Sequence, residues 1–151
     1  DAVRIATIDA PLEAESTGNP VLDGWVRFER GLRNALVRMR ASKRSADAGE
    51  YLRLDAAGHD NSEPLEITEA SREAFTHDSP LSAEDALNRA RWAHLDDLEV
   101  GHYFDLERII IYYLRLQVLA RRRLFTRQRG EERFEAINEQ IMNDYYQEQS
   151  E

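Results

Sequence analysis

Glu99 and His102 stand in a Glu-x-x-His spacing. On an unbroken helix that spacing puts a carboxylate and an imidazole on one face, as in carboxylate-bridged di-metal bundles. Such a site needs a second pair from another helix, and His59, His77 and His94 have no glutamate three residues before them. Gly101, lying between the two candidate ligands, is also expected to break the helix. His102 is therefore expected to hydrogen-bond an interhelical turn, His94 to be a satisfied core histidine, and no metal to bind. Asp96, Asp97 and Glu99 read as a charged helix end rather than a catalytic pair. The chain has no glycine-rich phosphate loop, no Gly-x-Ser-x-Gly elbow and no His-Glu-x-x-His. No catalytic residue, cofactor or small-molecule substrate is expected. Zero cysteines remove a thiol nucleophile, a disulfide scaffold and any cysteine-ligated zinc. Arg121-Arg122-Arg123 with Arg127 and Arg129 could touch phosphates. No stacking aromatic motif accompanies them, and a net charge of -9 repels a nucleic-acid backbone, so no nucleic acid is expected as a partner.

The elements that must position these residues read as helices. Asn19-Pro20 supplies a helix start, because proline's missing N–H has no intrahelical partner in the first turn. From Leu22 onward Trp25, Phe28, Leu32, Leu36 and Met39 recur at three- and four-residue steps and make one apolar stripe. Between Ser42 and Pro64 the periodicity fails, and residues 45–64 read as a polar loop that is either pinned through Tyr51-Leu52-Arg53-Leu54 or mobile. A short helix is expected over Thr68–His77, capped by Thr68, anchored by Phe75 and ended by Asp78-Ser79-Pro80. Ser82-Ala83-Glu84-Asp85 has a capping-box form and opens a helix running to Val100, with Leu87, Arg91, His94, Leu95 and Leu98 on one face and Gly101 as its stop. Asp105 is expected to cap a further helix from Leu106 to Arg129, roughly 36 Å long at 1.5 Å per residue. Its middle is apolar nearly all round, which makes it the expected centre of the bundle. Beyond Gly130, Phe134, Ile137, Ile141 and Tyr145 form a single stripe, expected to continue nearly the same rod.

No β-alternation lasts beyond four residues, so the fold class is all-α: a bundle of four to five helices, two of them long, with little or no strand. Residues 1–20, including a short Val3-Arg4-Ile5-Ala6 stretch, are expected to be an irregular arm, and residues 21–151 a single helical domain. Because Asp1 stands where an initiator methionine would, the chain is expected to be the carboxy-terminal part of a longer protein. With 42% hydrophobic residues over 151 positions, the chain can bury a core. The longest apolar run, Ile109 to Leu114, stops far short of the ~20 residues of a membrane span. The charge is blocked: residues 21–44 carry +5 and 108–129 carry +7, while the four remaining stretches are acidic. Such blocks either neutralise one another inside the fold or serve as docking surfaces.

Two stretches resemble a known family. Trp25-Val26-Arg27-Phe28-Glu29-Arg30-Gly31-Leu32-Arg33-Asn34-Ala35-Leu36 is similar to the Leu-Arg-Asn helix of an uncharacterised bacterial family encoded inside V/A-type ATPase operons. Arg91 to Leu106, with Leu-Asp-Asp-Leu followed by Gly101-His102-Tyr103-Phe104-Asp105, and then Tyr113-Leu114-Arg115-Leu116-Gln117, resembles that family's most recognisable block. The resemblance covers residues 22–44 and 81–142. It implies a non-catalytic subunit of a rotary ATPase, cytoplasmic and peripheral to the inner membrane, a counterpart of the C-type subunit that joins the central stalk to the membrane ring. Other V/A-type ATPase subunits would then be its partners. No catalytic residue carries over; Trp25, Arg33, Asn34, Trp92, Asp97, Gly101, His102, Tyr103, Phe104 and Asp105 are matching positions. A structural account fits several of them: Gly101 permits the turn, His102 satisfies buried carbonyls, Tyr103-Phe104 wedge between helices, and Asp105 caps the next helix. Arg27, Arg30, Arg38 and Arg40, away from the centre of the first stripe and with few local acids, are expected to bind a partner. The alternative is a helical-bundle enzyme or metal-binding regulator, which expects an interior cluster of carboxylates and histidines.

Overall fold

The computed structural model describes residues 16–124 and 127–148, with no strand among them. The Val3–Ala6 stretch and most of the expected arm lie outside the described residues. Five α-helices follow in order: α1 Pro20–Lys43, α2 Leu65–Thr76, α3 Pro80–Glu99, α4 Leu106–Arg122 and α5 Arg127–Glu148. A single 3-10 turn, Gly49–Tyr51, interrupts the connection between α1 and α2. The chain divides into two compact units, residues up to Leu116 and residues from Gln117 onward. Each is described by itself.

In the first unit, α1 starts where Asn19-Pro20 places it. The Asn19 side-chain oxygen accepts from the N–H groups of Val21 and Leu22 at 3.1 and 3.2 Å. The Asp23 carboxylate, one turn in, accepts from the Thr17 N–H at 2.7 Å and from the hydroxyls of Ser16 and Thr17, which ties the preceding residues to the helix. Its pKa is lowered, chiefly by the Ser16 hydroxyl and then by Thr17. The core lies among α1, α2 and α3, where Phe28, Leu32, Ala35, Ile67, Ala70, Ala74, Ala86 and Leu87 pack together. Alanines on α2 and α3 let these helices come close to α1.

Several expected boundaries shift. Helix α2 begins at Leu65 with Pro64 at its cap position, and the Thr68 hydroxyl donates back to the Pro64 carbonyl at 3.2 Å instead of capping. Phe75 is not its anchor: it is exposed, with the Lys43 ammonium 5.5 Å from its ring centroid, and Ile67, Ala70, Ser71 and Ala74 carry the burial. Helix α3 begins at Pro80, two residues before the expected capping box, because proline opens a helix as readily as it closes one. Helix α4 ends at Arg122, and Gly130 sits inside α5, so the interruption falls before the glycine.

The larger correction concerns α4. It is not the centre of the bundle: Ile111 and Leu114 are buried, and Val118 continues their line, but Leu106, Ile109, Tyr112, Tyr113, Leu116 and Leu119 are exposed. A helix apolar on two sides has only one of them covered here.

Candidate functional site

The Gly101–Asp105 turn forms as its residue types require. Helix α3 stops at Glu99, and Gly101 takes φ +90°, a conformation that a Cβ disfavours. The His102 N–H then donates to the Glu99 carbonyl at 3.0 Å. Asp105 caps α4, its Oδ1 accepting from the Arg108 N–H at 3.0 Å. Its Oδ2 lies 2.8 Å from Nδ1 of His102. The Asp105 pKa is lowered, first by this histidine, which with the Arg108 N–H outweighs the opposing effect of desolvation. His102 thus holds the cap carboxylate rather than a buried carbonyl, a charged oxygen being the stronger acceptor.

The Glu-x-x-His pair is not assembled as ligands. Glu99 accepts from both terminal nitrogens of Arg115 at 2.9 and 2.8 Å and pairs with Arg108. Arg115 also pairs with Asp96, and its guanidinium lies 5.4 Å from the Trp92 ring centroid. These contacts fasten the first part of α4 to the end of α3. A different trio does converge: ligand atoms of His102, Asp105 and Glu107 lie within 4.8 Å of one another. Glu107 also accepts from the Asn19 amide at 3.2 Å, joining this turn to the start of α1. Tyr103 and Phe104 do not wedge between helices. Tyr103 is 75% exposed and Phe104 fully so, because the turn that Gly101 makes projects them outward.

The Leu-Arg-Asn segment of α1 serves the polar connection. Asn34 is fully buried; its amide donates to the carbonyls of Arg53 at 2.6 Å and Asp60 at 2.8 Å, and its oxygen accepts from the Arg53 N–H at 2.9 Å. The 45–64 segment is therefore pinned through its backbone; Tyr51 and Leu54 are exposed. Gly31 permits the approach: a Cβ there would lie 2.1 Å from the Asn61 carbonyl oxygen and 2.6 Å from Ile67. Arg30 is only 6% exposed and donates to the Asn61 side chain at 3.0 Å. Arg38 donates through Nε to Asp60 at 2.8 Å and pairs with it again through Nη2. Burial alone would raise the Asp60 pKa, but the Ser62 N–H, Arg38 and the Ser62 hydroxyl outweigh it and lower it. Of the four expected docking arginines, Arg30 and Arg38 thus hold the polar connection, which supplies acceptors that nearby sequence does not. Arg27 and Arg40 are exposed, as is Arg33.

A buried ion-pair network links α1 to α3. Arg91 donates to Glu29 at 2.6 and 3.3 Å, to Glu84 at 3.1 Å and to Asn88 at 3.0 Å. Desolvation works against its charge, but Glu29 and Glu84 outweigh it and raise the Arg91 pKa. The sequence signal for this network was an arginine inside the apolar stripe of α3. One turn on, His94 stacks on Phe28 with ring centroids 4.1 Å apart and planes at 10°, and its Nδ1 lies 3.8 Å from Glu66. Its Nε2 is buried without a hydrogen-bond partner, so the ring is less fully satisfied than expected. Burial lowers the His94 pKa, with Glu66 the main opposing influence. Beside it runs a groove of about 820 Å³, bounded by Arg27, Phe28, Asp60, Glu66, His94 and Leu98 among others. Trp25, at 6.2 Å from Phe28, and Asp97 lie at the edges of this region and bring no reactive pair into it.

No curated protein and no solved structure matches the chain. One protein family does, over residues 12–145, which include the Leu-Arg-Asn segment, the Arg91 network and the Gly101–Asp105 turn. By that match the chain belongs to the family described as "Protein of unknown function (DUF2764)".

Proposed function

We propose that the protein is a non-catalytic structural subunit of a bacterial V/A-type rotary ATPase, a helical adaptor between stalk and membrane ring. The observation that carries this reading is α5. Over its 22 residues every described side chain is exposed, including Phe134, Ile137, Ile141 and Met142 at helical spacing among glutamates. An uncovered amphipathic helix has its apolar stripe available to a partner. The resemblance of the Trp25–Leu36 and Arg91–Leu106 stretches to an operon-encoded family supports the choice of partner. The residues that the family match spans go into caps, ion pairs and loop anchoring, which suits a scaffold. Arg27 and Arg40 add basic surface on α1, and the reading places the protein in the cytoplasm, peripheral to the membrane through the complex.

Purification of a tagged chain from its native host tests the reading. ATPase stalk subunits are expected to co-purify, and a Phe134→Glu/Ile137→Glu/Ile141→Glu variant is expected to lose them while keeping its helical circular dichroism. Recovery of the unmodified chain free of those subunits would sink the assignment.

The His102–Asp105–Glu107 trio favours a second reading, a metal-binding regulator. Near-stoichiometric zinc, manganese or iron in the purified chain, lost in His102→Ala, would decide for it.

A further inference from the structure

The uncovered face of α4 has an internal symmetry. Its exposed apolar residues, Leu106, Ile109, Tyr112, Tyr113, Leu116 and Leu119, are spaced three, three, one, three and three, a palindrome centred between the two tyrosines. At 3.6 residues per turn they share an arc of roughly 140°. We propose that the protein forms a two-fold symmetric dimer in which this face of α4 packs antiparallel against the same face of a second copy. This inference is independent of the ATPase assignment.

An isologous interface requires a self-complementary surface, and this stripe is one. With the axis between Tyr112 and Tyr113, Leu106 meets the second copy's Leu119, Ile109 meets its Leu116, and Tyr112 meets its Tyr113. A shift of one turn leaves the outer leucines without a partner. Charge selects the same direction. The amino end of α4 carries Asp105, Glu107 and Arg108, with Asp105 held by His102 and Glu107 by Asn19, and its carboxy end carries Arg121-Arg122-Arg123. Antiparallel pairing keeps the Arg121-Arg122-Arg123 runs of the two copies at opposite ends and opposes the two helix dipoles, whereas parallel pairing would stack arginine on arginine.

Two tyrosines, which as aromatics can bury ~150–250 Å² each, and four leucine or isoleucine side chains, most of them half exposed or more, form the apolar centre of an interface whose stable size is roughly 800 Å² per partner.

Because the chain has no cysteine, disulfide trapping in the full chain reads the register directly. Co-expressed Ile109→Cys and Leu116→Cys chains are expected to cross-link to each other, and either alone is expected not to, since a residue seven positions away stands roughly 10 Å along the axis. Light scattering of the unmodified chain is expected to give a dimer, and Tyr112→Glu with Tyr113→Glu to halve the mass to 17.5 kDa at unchanged helical content. A monomer across the micromolar range overturns the proposal. So does self-linking of Ile109→Cys, which means parallel packing, or preferential linking of Ile109→Cys to Ile137→Cys, which means that α5 is the occupant. Binding of a monomeric chain to anionic phospholipid vesicles, lost in the tyrosine variant, overturns it in favour of a lipid surface.

Discussion

At the scale of single residues, the Leu-Arg-Asn segment shows how much a small number of side chains can organise. Asn34 presents an amide that satisfies two carbonyls and an N–H of a connection 19 to 26 residues away. Gly31 lets that connection sit against α1. Asn34→Ala is expected to cost about 1–3 kcal/mol by leaving backbone groups unsatisfied. Gly31→Ala is expected to cost a similar ~1–3 kcal/mol through overpacking, since the Asn61 backbone cannot rotate aside as a side chain could. Urea unfolding of both variants checks this; a change within about 0.5 kcal/mol, the ordinary surface value, would show that the connection is held elsewhere. The sequence marked Asn34 and Gly31 as part of a motif but gave no reason for either, because their partners lie on a loop whose path no local pattern dictates.

At the scale of elements, α1 and α3 are joined by charge as well as by the apolar core. Arg91 is nearly surrounded by Glu29, Glu84 and Asn88. Removing the cation leaves two mostly buried carboxylates facing each other. Arg91→Met is therefore expected to destabilise by about 3–5 kcal/mol, and adding Glu29→Leu and Glu84→Leu to restore much of the loss, because a matched apolar replacement avoids the desolvation penalty. If the triple variant is as unstable as the single one, shape rather than charge makes the junction. Helix starts and stops at Asn19-Pro20, Gly101 and Asp105 were legible because capping is chemistry between near neighbours. The start of α3 was misplaced because Pro80 suits both the end of one helix and the beginning of the next.

At the scale of the molecule, stability should fall on mild acidification. Above its ordinary pKa of 6.5 His94 is neutral in both folded and unfolded chains and contributes nothing to the pH dependence. Burial lowers its folded pKa, so as the pH falls through 6.5 the unfolded chain takes up a proton that the folded one resists. The urea midpoint is expected to decline between pH 7.5 and 5.5, and His94→Gln to flatten that decline. An equal slope in the variant would assign the dependence to other groups. The depressed pKa values of Asp60 and Asp105 act in the same direction but only at lower pH, as these carboxylates approach protonation. By itself the sequence determined that the chain is helical, roughly where its helices run, and that Gly101 and Asp105 divide α3 from α4, because propensity, periodicity and capping act within a few residues. Only the tertiary structure decided which side of α4 is covered, that Arg30 is buried and Arg38, itself exposed, pairs with Asp60 while Arg27 and Arg40 stay out, and that Tyr103 and Phe104 face solvent. Burial is set by segments remote in sequence, and an apolar or basic pattern is compatible with either side of a helix until those segments arrive.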